Sequence, residues 1–235
     1  MSTINGPAPG TIVHNEHNTV VISGDSASKT FMTVEQFDRE REFYTIFSKF
    51  FNVPKVLRVD PETQTICYEY IRGRTLRESD VLSSFSSSDL ISLRNRIPHI
   101  EGEPVKSPFM VLFPRHIIDS QLVHGDFRLD NLIVTNNGGI YLIDFESGNY
   151  LFREFDDVYM YLSLLRVDEE KAKDYYKRSG AEQQKERALY AELFYINGVL
   201  INSKISLKQK RFWIIREAKL IEGIKSLERT NEQCE

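Results

Sequence analysis

The run "LVHGDFRLDNLIV", residues 122–134, constrains the fold more than any other stretch of the chain. It places His124, Asp126, Arg128, Asp130 and Asn131 between two apolar runs. Charge buried without partners is costly, so these side chains need a turn that gathers them and strands that hold it. The turn "TNNGG" and the short strand "IYLIDF" come next. Together they read as a hairpin, which folds the chain back and brings Asp144 toward Asn131. An amide and a carboxylate sharing one spot offer hard oxygen ligands suited to Mg²⁺. Asp126, close by, is placed to accept a proton from a hydroxyl. A positioned base and metal ions bridging phosphates are the parts that phosphoryl transfer requires. The alternative is a polar hairpin whose letters fell there by chance. Four positions at fixed spacing between strands weigh against it.

The rest of the chain changes period part-way. "GTIVHNEHNTVVISG" gives two β-branched runs, Thr11–Val13 and Thr19–Ile22, around the turn His14–Asn18. "SKTFM" is a candidate third strand. In "TVEQFDREREFYTIFSKFF", Phe37, Tyr44, Phe47 and Phe51 share one helical stripe, with Thr33 as N-cap. Glu40 falls on that same apolar stripe, so it sits at the core's edge or has an assigned partner. "KVLRVD" and "TICYEYI" read as strands joined by the turn Asp60-Pro61-Glu62-Thr63. The chain then leaves the sheet at Gly73 and is expected to be mostly helical up to the opening motif. The serine-rich "SSFSSSD" marks a helix start. After Asp156, "DDVYMYLSLL", "QQKERALYAELFYINGVL" and "KQKRFWIIREAKLIEGIKSL" carry apolar helical faces. The expected class is α+β, with residues 1–72 a β-rich lobe holding one helix and residues 73–235 a mostly helical lobe.

Composition excludes more than it selects. A chain of 235 residues suits one large domain or two small lobes. Net charge of −4 and a pI near 5.8 argue against a general nucleic-acid binder. Two cysteines, Cys67 and Cys234, form no disulfide framework and fit a reducing cytosol. The N-terminus lacks a signal-peptide pattern, and no apolar run approaches the roughly 18 residues of a membrane span. A cytoplasmic protein without a membrane span is therefore expected. His14 and His17 read as polar turn residues rather than a metal pair. Arg72, Arg74 and Arg77 form a solvated face or hold an anionic acceptor. Phe194, Tyr195, Phe212 and Trp213 read as helix-packing core. Glu146 joins a metal shell or closes the turn.

"HGDxxxxN" followed by "IDFE" resembles the catalytic and metal-binding segments of the aminoglycoside phosphotransferase and choline kinase group, within the protein-kinase-like fold. The resemblance is specific over Val123–Glu146 and looser from Lys29 to Gly73. It implies that Asp126 is the catalytic base and that Asn131 and Asp144 bind Mg²⁺. It implies that Lys29, the first lysine of the chain, contacts the α- and β-phosphates of ATP with Glu40 as its partner and Glu42 as runner-up. "CYEYIRG" is similar to the family's hinge, where the backbone of Glu69 to Ile71 would read the adenine edge. "EFDDVYMYL" is similar to a helix start whose aspartate, Asp156 or else Asp157, braces the catalytic loop.

Two departures stand out. The tip "HNEHN" has no glycine where the family covers the phosphates with a small-residue turn. Only about fifty residues separate Gly73 from the motif, which leaves little chain for an acceptor pocket. The expected activity is transfer of the ATP γ-phosphate to a hydroxyl of a small molecule, such as a sugar, an amino alcohol or an aminoglycoside-like compound. An atypical small protein kinase and a nucleotide-binding pseudokinase are the alternatives.

Overall fold

The structure, a computed structural model, describes residues 11–14, 18–104, 113–114, 117–201 and 207–232. The N-terminal decapeptide, tip residues 15–17 with His17, and Cys234 lie outside the described residues, as do the side chains of His14, Phe212 and Trp213.

In chain order the strands are β1 (Ile12–His14), β2 (Asn18–Ser23), β3 (Ser26–Phe31), β4 (Val56–Asp60), β5 (Thr65–Glu69), β6 (Gly73–Thr75), β7 (Gln121–Val123), β8 (Leu132–Thr135), β9 (Ile140–Leu142) and β10 (Asn149–Leu151). The helices are α1 (Val34–Phe47), α2 (Ser79–Leu82), α3 (Ser87–Arg94), α4 (Glu154–Leu164), α5 (Glu169–Ser179), α6 (Lys185–Ile201) and α7 (Leu207–Glu232). Contacts group the chain differently from the cut expected at Gly73. One compact unit holds residues 1–98 and 124–149, and the other holds residues 99–123 and 150–235.

The first unit is built on an antiparallel sheet of order β1-β2-β3-β5-β4. Lys29 pairs with Val20 and Ile66, Ala27 with Ile22 and Tyr68, and Phe31 with Asn18. Because strand side chains alternate, all eight share one face. Helix α1 covers part of that face. Thr33 caps it, its hydroxyl accepting from the Gln36 N–H at 3.2 Å. Phe37, Phe43 and Phe47 are buried, each worth about 2 kcal/mol of removed apolar surface. Phe43 was not on the expected stripe, because the buried side of α1 is wider than one row. Phe31, Phe37, Ile66 and Tyr68 form a core cluster, with Tyr44 and Val56 against it.

Gly73 does not lead straight into helices. It opens β6, which pairs with β8 in a three-stranded sheet of order β6-β8-β9. A β-carbon on Gly73 would lie 2.5 Å from the Val134 carbonyl oxygen, so this close pairing needs glycine. The serine-rich segment starts α3 as expected, with a reciprocal capping box between Ser86 and Asp89. Beyond Arg94 no helix forms through residue 104, so the mostly helical expectation for this region holds only for α2 and α3.

The second unit contains the strand pair β7–β10 and helices α4 to α7. Helix α6 packs against α4 and α7. Its core includes Phe113, Phe152, Phe155, Leu162, Tyr195 and Ile196, with Phe194 packed on it. Helix α5 had no counterpart in the apolar pattern, because most of its residues are charged. Its signals are terminal: Asp168 accepts from the Lys171 N–H, and Gly180 closes it at φ +85°. Among the described residues no helix is long and apolar enough to cross a membrane.

Candidate active site

Lys29 lies in β3 on the inner face of the sheet, only 7% exposed. A buried ammonium requires anions, and three carboxylates surround it. Glu40, on α1, lies 3.1 Å away, and Glu146 lies 3.2 Å away. Asp144 accepts a short hydrogen bond directly from the ammonium. Burial works against the charge of Lys29, but Asp144, Glu40 and Glu146 outweigh it and hold the ammonium above its usual range. Burial likewise pushes Asp144 up, and Lys29 overrides it, so the Asp144 carboxyl ends below its ordinary value. Glu40 is buried at 1% exposure and also accepts from the Tyr68 hydroxyl at 2.8 Å and the Phe145 N–H at 2.9 Å. One side chain of α1 thereby ties β3, β5 and the Asp144–Phe145 segment together. Glu42 is exposed and takes no part.

The turn is built from Gly125 outward. Gly125 has φ +79°, and a β-carbon there would meet the Ser147 carbonyl oxygen at 1.9 Å. Only glycine fits. His124 is fully buried among Phe47, Phe127 and Phe145. Its Nδ1 accepts from the Asp126 N–H at 3.3 Å. Burial drops its pKa to about 4, so His124 is a neutral strut that orients the turn. Asp126 accepts from the Asn131 amide nitrogen through its carboxylate at 2.8 Å and through its backbone carbonyl at 2.9 Å. Arg128 Nε lies 3.1 Å from the same carboxylate. Burial lifts the Asp126 pKa to about 7, with Arg128 pulling the other way. A carboxyl poised there suits proton acceptance near neutral pH.

The β8–β9 hairpin sets the third member. Leu132 pairs with Leu142, and the Ile143 N–H donates to the Asn131 carbonyl at 3.1 Å. Asp144 is the next residue, and its φ of +72° lies in the left-handed region. Such backbone costs about 1 kcal/mol or more and persists where surroundings enforce it; here the enforcing contacts are those of Asp144 with Lys29 and of Phe145 with Glu40. The Asn131 NH₂ group is spent on Asp126, which leaves its amide oxygen as a donor to a metal. The carboxylate oxygens of Glu40, Asp144 and Glu146 lie within 4.8 Å of one another. Because Glu40 and Glu146 face the Lys29 ammonium, the oxygens of Asn131 and Asp144 are the ones suited to Mg²⁺.

The remaining expected residues fall elsewhere. The N–H groups of Glu69 and Tyr70 already donate to the carbonyls of Lys55 and Asp25, so the Ile71 N–H is the edge donor left in that stretch. The Glu69 side chain accepts from the Lys55 N–H at 2.9 Å. Arg72 pairs with Asp25, and Arg74 with Glu78 and Asp80. Arg77 lies 3.1 Å from Asp130. These internal pairs account for the arginines without an anionic ligand and give Asp130 its partner. In α4, Asp156 and Asp157 are both buried, and Asp157 accepts from the Tyr175 hydroxyl at 3.0 Å. Sequence reasoning missed the Arg128–Asp126 pair and Asn18. Asn18, 1% exposed, donates to Glu146 at 3.0 Å. Its signal was a polar residue on the inner face of a strand.

Comparison with solved structures follows this geometry. A choline/ethanolamine kinase family protein from Mesorhizobium loti aligns with a TM-score of 0.62 and 14% identity, covering 92% of this chain and 88% of that one. LicA in complex with AMP aligns at 0.64 and 14% identity, over 93% and 91% of the two chains. ADP-bound aminoglycoside phosphotransferase APH(2'')-Ib aligns at 0.60 and 13%, over 88% and 90%. These likenesses establish an α+β, kinase-like fold. No curated protein matches the sequence. The sequence does match the ABC1 atypical kinase-like domain over residues 33–176, more than half of its 235 positions, and on that ground the chain belongs to this kinase-like family.

Proposed function

We propose that the protein is an ATP-dependent phosphotransferase that moves the γ-phosphoryl group to a hydroxyl of a small molecule, such as a sugar, an amino alcohol or an aminoglycoside-like compound. One observation carries the reading: Asp126 and Asn131 are hydrogen-bonded to each other, and Asp144, adjacent in the hairpin register, is bonded to the buried Lys29. The acceptor oxygen forms a bond to the γ-phosphorus, the bond to the β–γ bridging oxygen breaks, and ADP leaves. Asp126 takes the proton of the attacking hydroxyl. Lys29 holds the α- and β-phosphates, and the backbone of Glu69 to Ile71 meets the adenine edge. Asn131 and Asp144 would hold Mg²⁺, which when bound neutralises phosphate charge. The nucleotides named with the similar structures, AMP and ADP, support a nucleotide as co-substrate. A cytoplasmic setting suits the two cysteines.

A Mg·ATP-dependent turnover screen against a panel of hydroxylated metabolites tests this function. Turnover of at least one, lost in Asp126→Asn, supports it; no ATP consumption with any acceptor refutes it. A second reading, an atypical protein kinase, is favoured by the family match, which names a kinase-like domain and no acceptor. A phosphopeptide search after incubation with ATP and cell extract separates the two.

A further inference from the structure

Among the described residues of β2, β3 and β5, the inner face of the first sheet is apolar except at Lys29, Tyr68 and Asn18. Lys29 and Tyr68 are explained by Glu40. Asn18 is not. It stands at the first residue of β2, opposite Phe31 and one same-face position along from Val20, the partner of Lys29. A buried amide costs free energy unless it is hydrogen-bonded. The Asn18 amide nitrogen donates to Glu146 Oε2 at 3.0 Å, and that same oxygen lies 3.2 Å from Lys29 Nζ. One anionic oxygen is thus gripped by an ammonium and an amide N–H, both from the sheet. This is how a phosphate oxygen is bound. The ammonium meanwhile faces three carboxylates where one would balance its charge. Glu146 is the surplus one, since Glu40 also anchors Tyr68 and Phe145.

We infer that Lys29 and Asn18 form an anion site for a nucleotide phosphate, and that in the nucleotide-free chain the Glu146 carboxylate occupies it. The Asn18 side chain then supplies the N–H donor that a glycine-rich turn would supply from its backbone, at the end of a turn without glycine. Glu146 must swing away as the phosphate enters, so it competes with nucleotide. The inference rests on the nucleotide-binding reading of this site.

The test is calorimetric titration of ADP into the whole chain in EDTA, so that no metal bridges the carboxylates. Glu146→Gln keeps the shape and the bond to Asn18 but removes the competing charge. It is expected to bind ADP about tenfold tighter than the parent. Asn18→Ala is expected to bind about tenfold weaker. Thermal melts confirm that each variant folds, and Glu146→Ala replaces the Gln variant if that one does not. Equal or weaker binding by the Glu146 variants, while the parent binds ADP, overturns the inference and leaves the nucleotide reading intact. Absence of ADP binding by parent and Glu146 variants, with and without Mg²⁺, overturns both.

Discussion

Replacing Asp126 by Asn separates catalysis from stability at one atom. The carboxyl sits near pKa 7 because burial disfavours its charge, against an unfolded value of 3.8. A group whose folded pKa is raised weakens the fold when it ionises. That cost is absent below about pH 4, grows between pH 4 and 7, and is complete above 7. At about 1.4 kcal/mol per pH unit the interval sets a ceiling of about 4 kcal/mol. That figure already includes the pull of Arg128, and the side chain is 17% exposed, so solvent screening leaves roughly half of it. The substituted side chain would still accept from the Asn131 amide through its own oxygen. The variant is therefore expected to be more stable than the parent by about 2 kcal/mol at pH 8, or roughly 4–8 °C in Tm. The two should melt together at pH 4. Phosphotransfer should fall by about 10²–10⁴. Differential scanning fluorimetry across pH 4–9, beside a coupled ADP assay, reads both effects. If the Asn variant is the less stable protein at pH 8, the carboxylate is net stabilised in place, and the account of Asp126 as a strained base fails.

Other perturbations have equally definite expectations. Gly125→Ala should cost at least about 3 kcal/mol, since its new β-carbon collides with Ser147, while Gly180→Ala, at similar φ with open space around it, should cost only about 1 kcal/mol; urea midpoints compare them. Lys29→Met leaves three carboxylates without their counter-charge and should lose about 3–5 kcal/mol at pH 7, with part of the loss recovered as acid protonates them. A pH series of urea unfolding curves would expose that recovery, and a pH-independent loss would contradict it. Tyr175→Phe removes a buried donor from Asp157 and should cost about 1–2 kcal/mol in the same assay without lowering ADP affinity.

The parts of the fold that could be read from the letters were those with a local cause. The β-branched run Thr19–Ile22 marked β2, Thr33 marked the start of α1, and the serine-rich segment at Ser86 and Asp89 marked α3. Glu40 drew notice because a carboxylate on an apolar helix face asks for a partner. What could not be read depended on distant pairing. The strand at Gly73–Thr75 exists only because β8 returns to it some sixty residues later. Arg128 and Asp130 carried no visible assignment because their partners, Asp126 and Arg77, are chosen by turn geometry rather than spacing. Asn18 looked like a turn residue until the register placed it on the buried face. Helix α5 escaped because charge, not apolar periodicity, dominates it.

The order in which the chain threads its two compact units has a consequence for synthesis. The chain passes from one unit to the other after residues 98, 123 and 149. A nascent chain released only as far as residue 98 would hold Lys29 and Glu40 but neither Asp144 nor Glu146, and β6 would present an open edge with no β8 to close it. The site therefore cannot assemble progressively from its N-terminus. It is complete only when residues 124–149 emerge and bring Asp126, Asn131, Asp144 and Glu146 to join Lys29 and Glu40. Until then β6 has no strand to pair with, which makes this interval of translation a time when the protein benefits from being shielded from its neighbours.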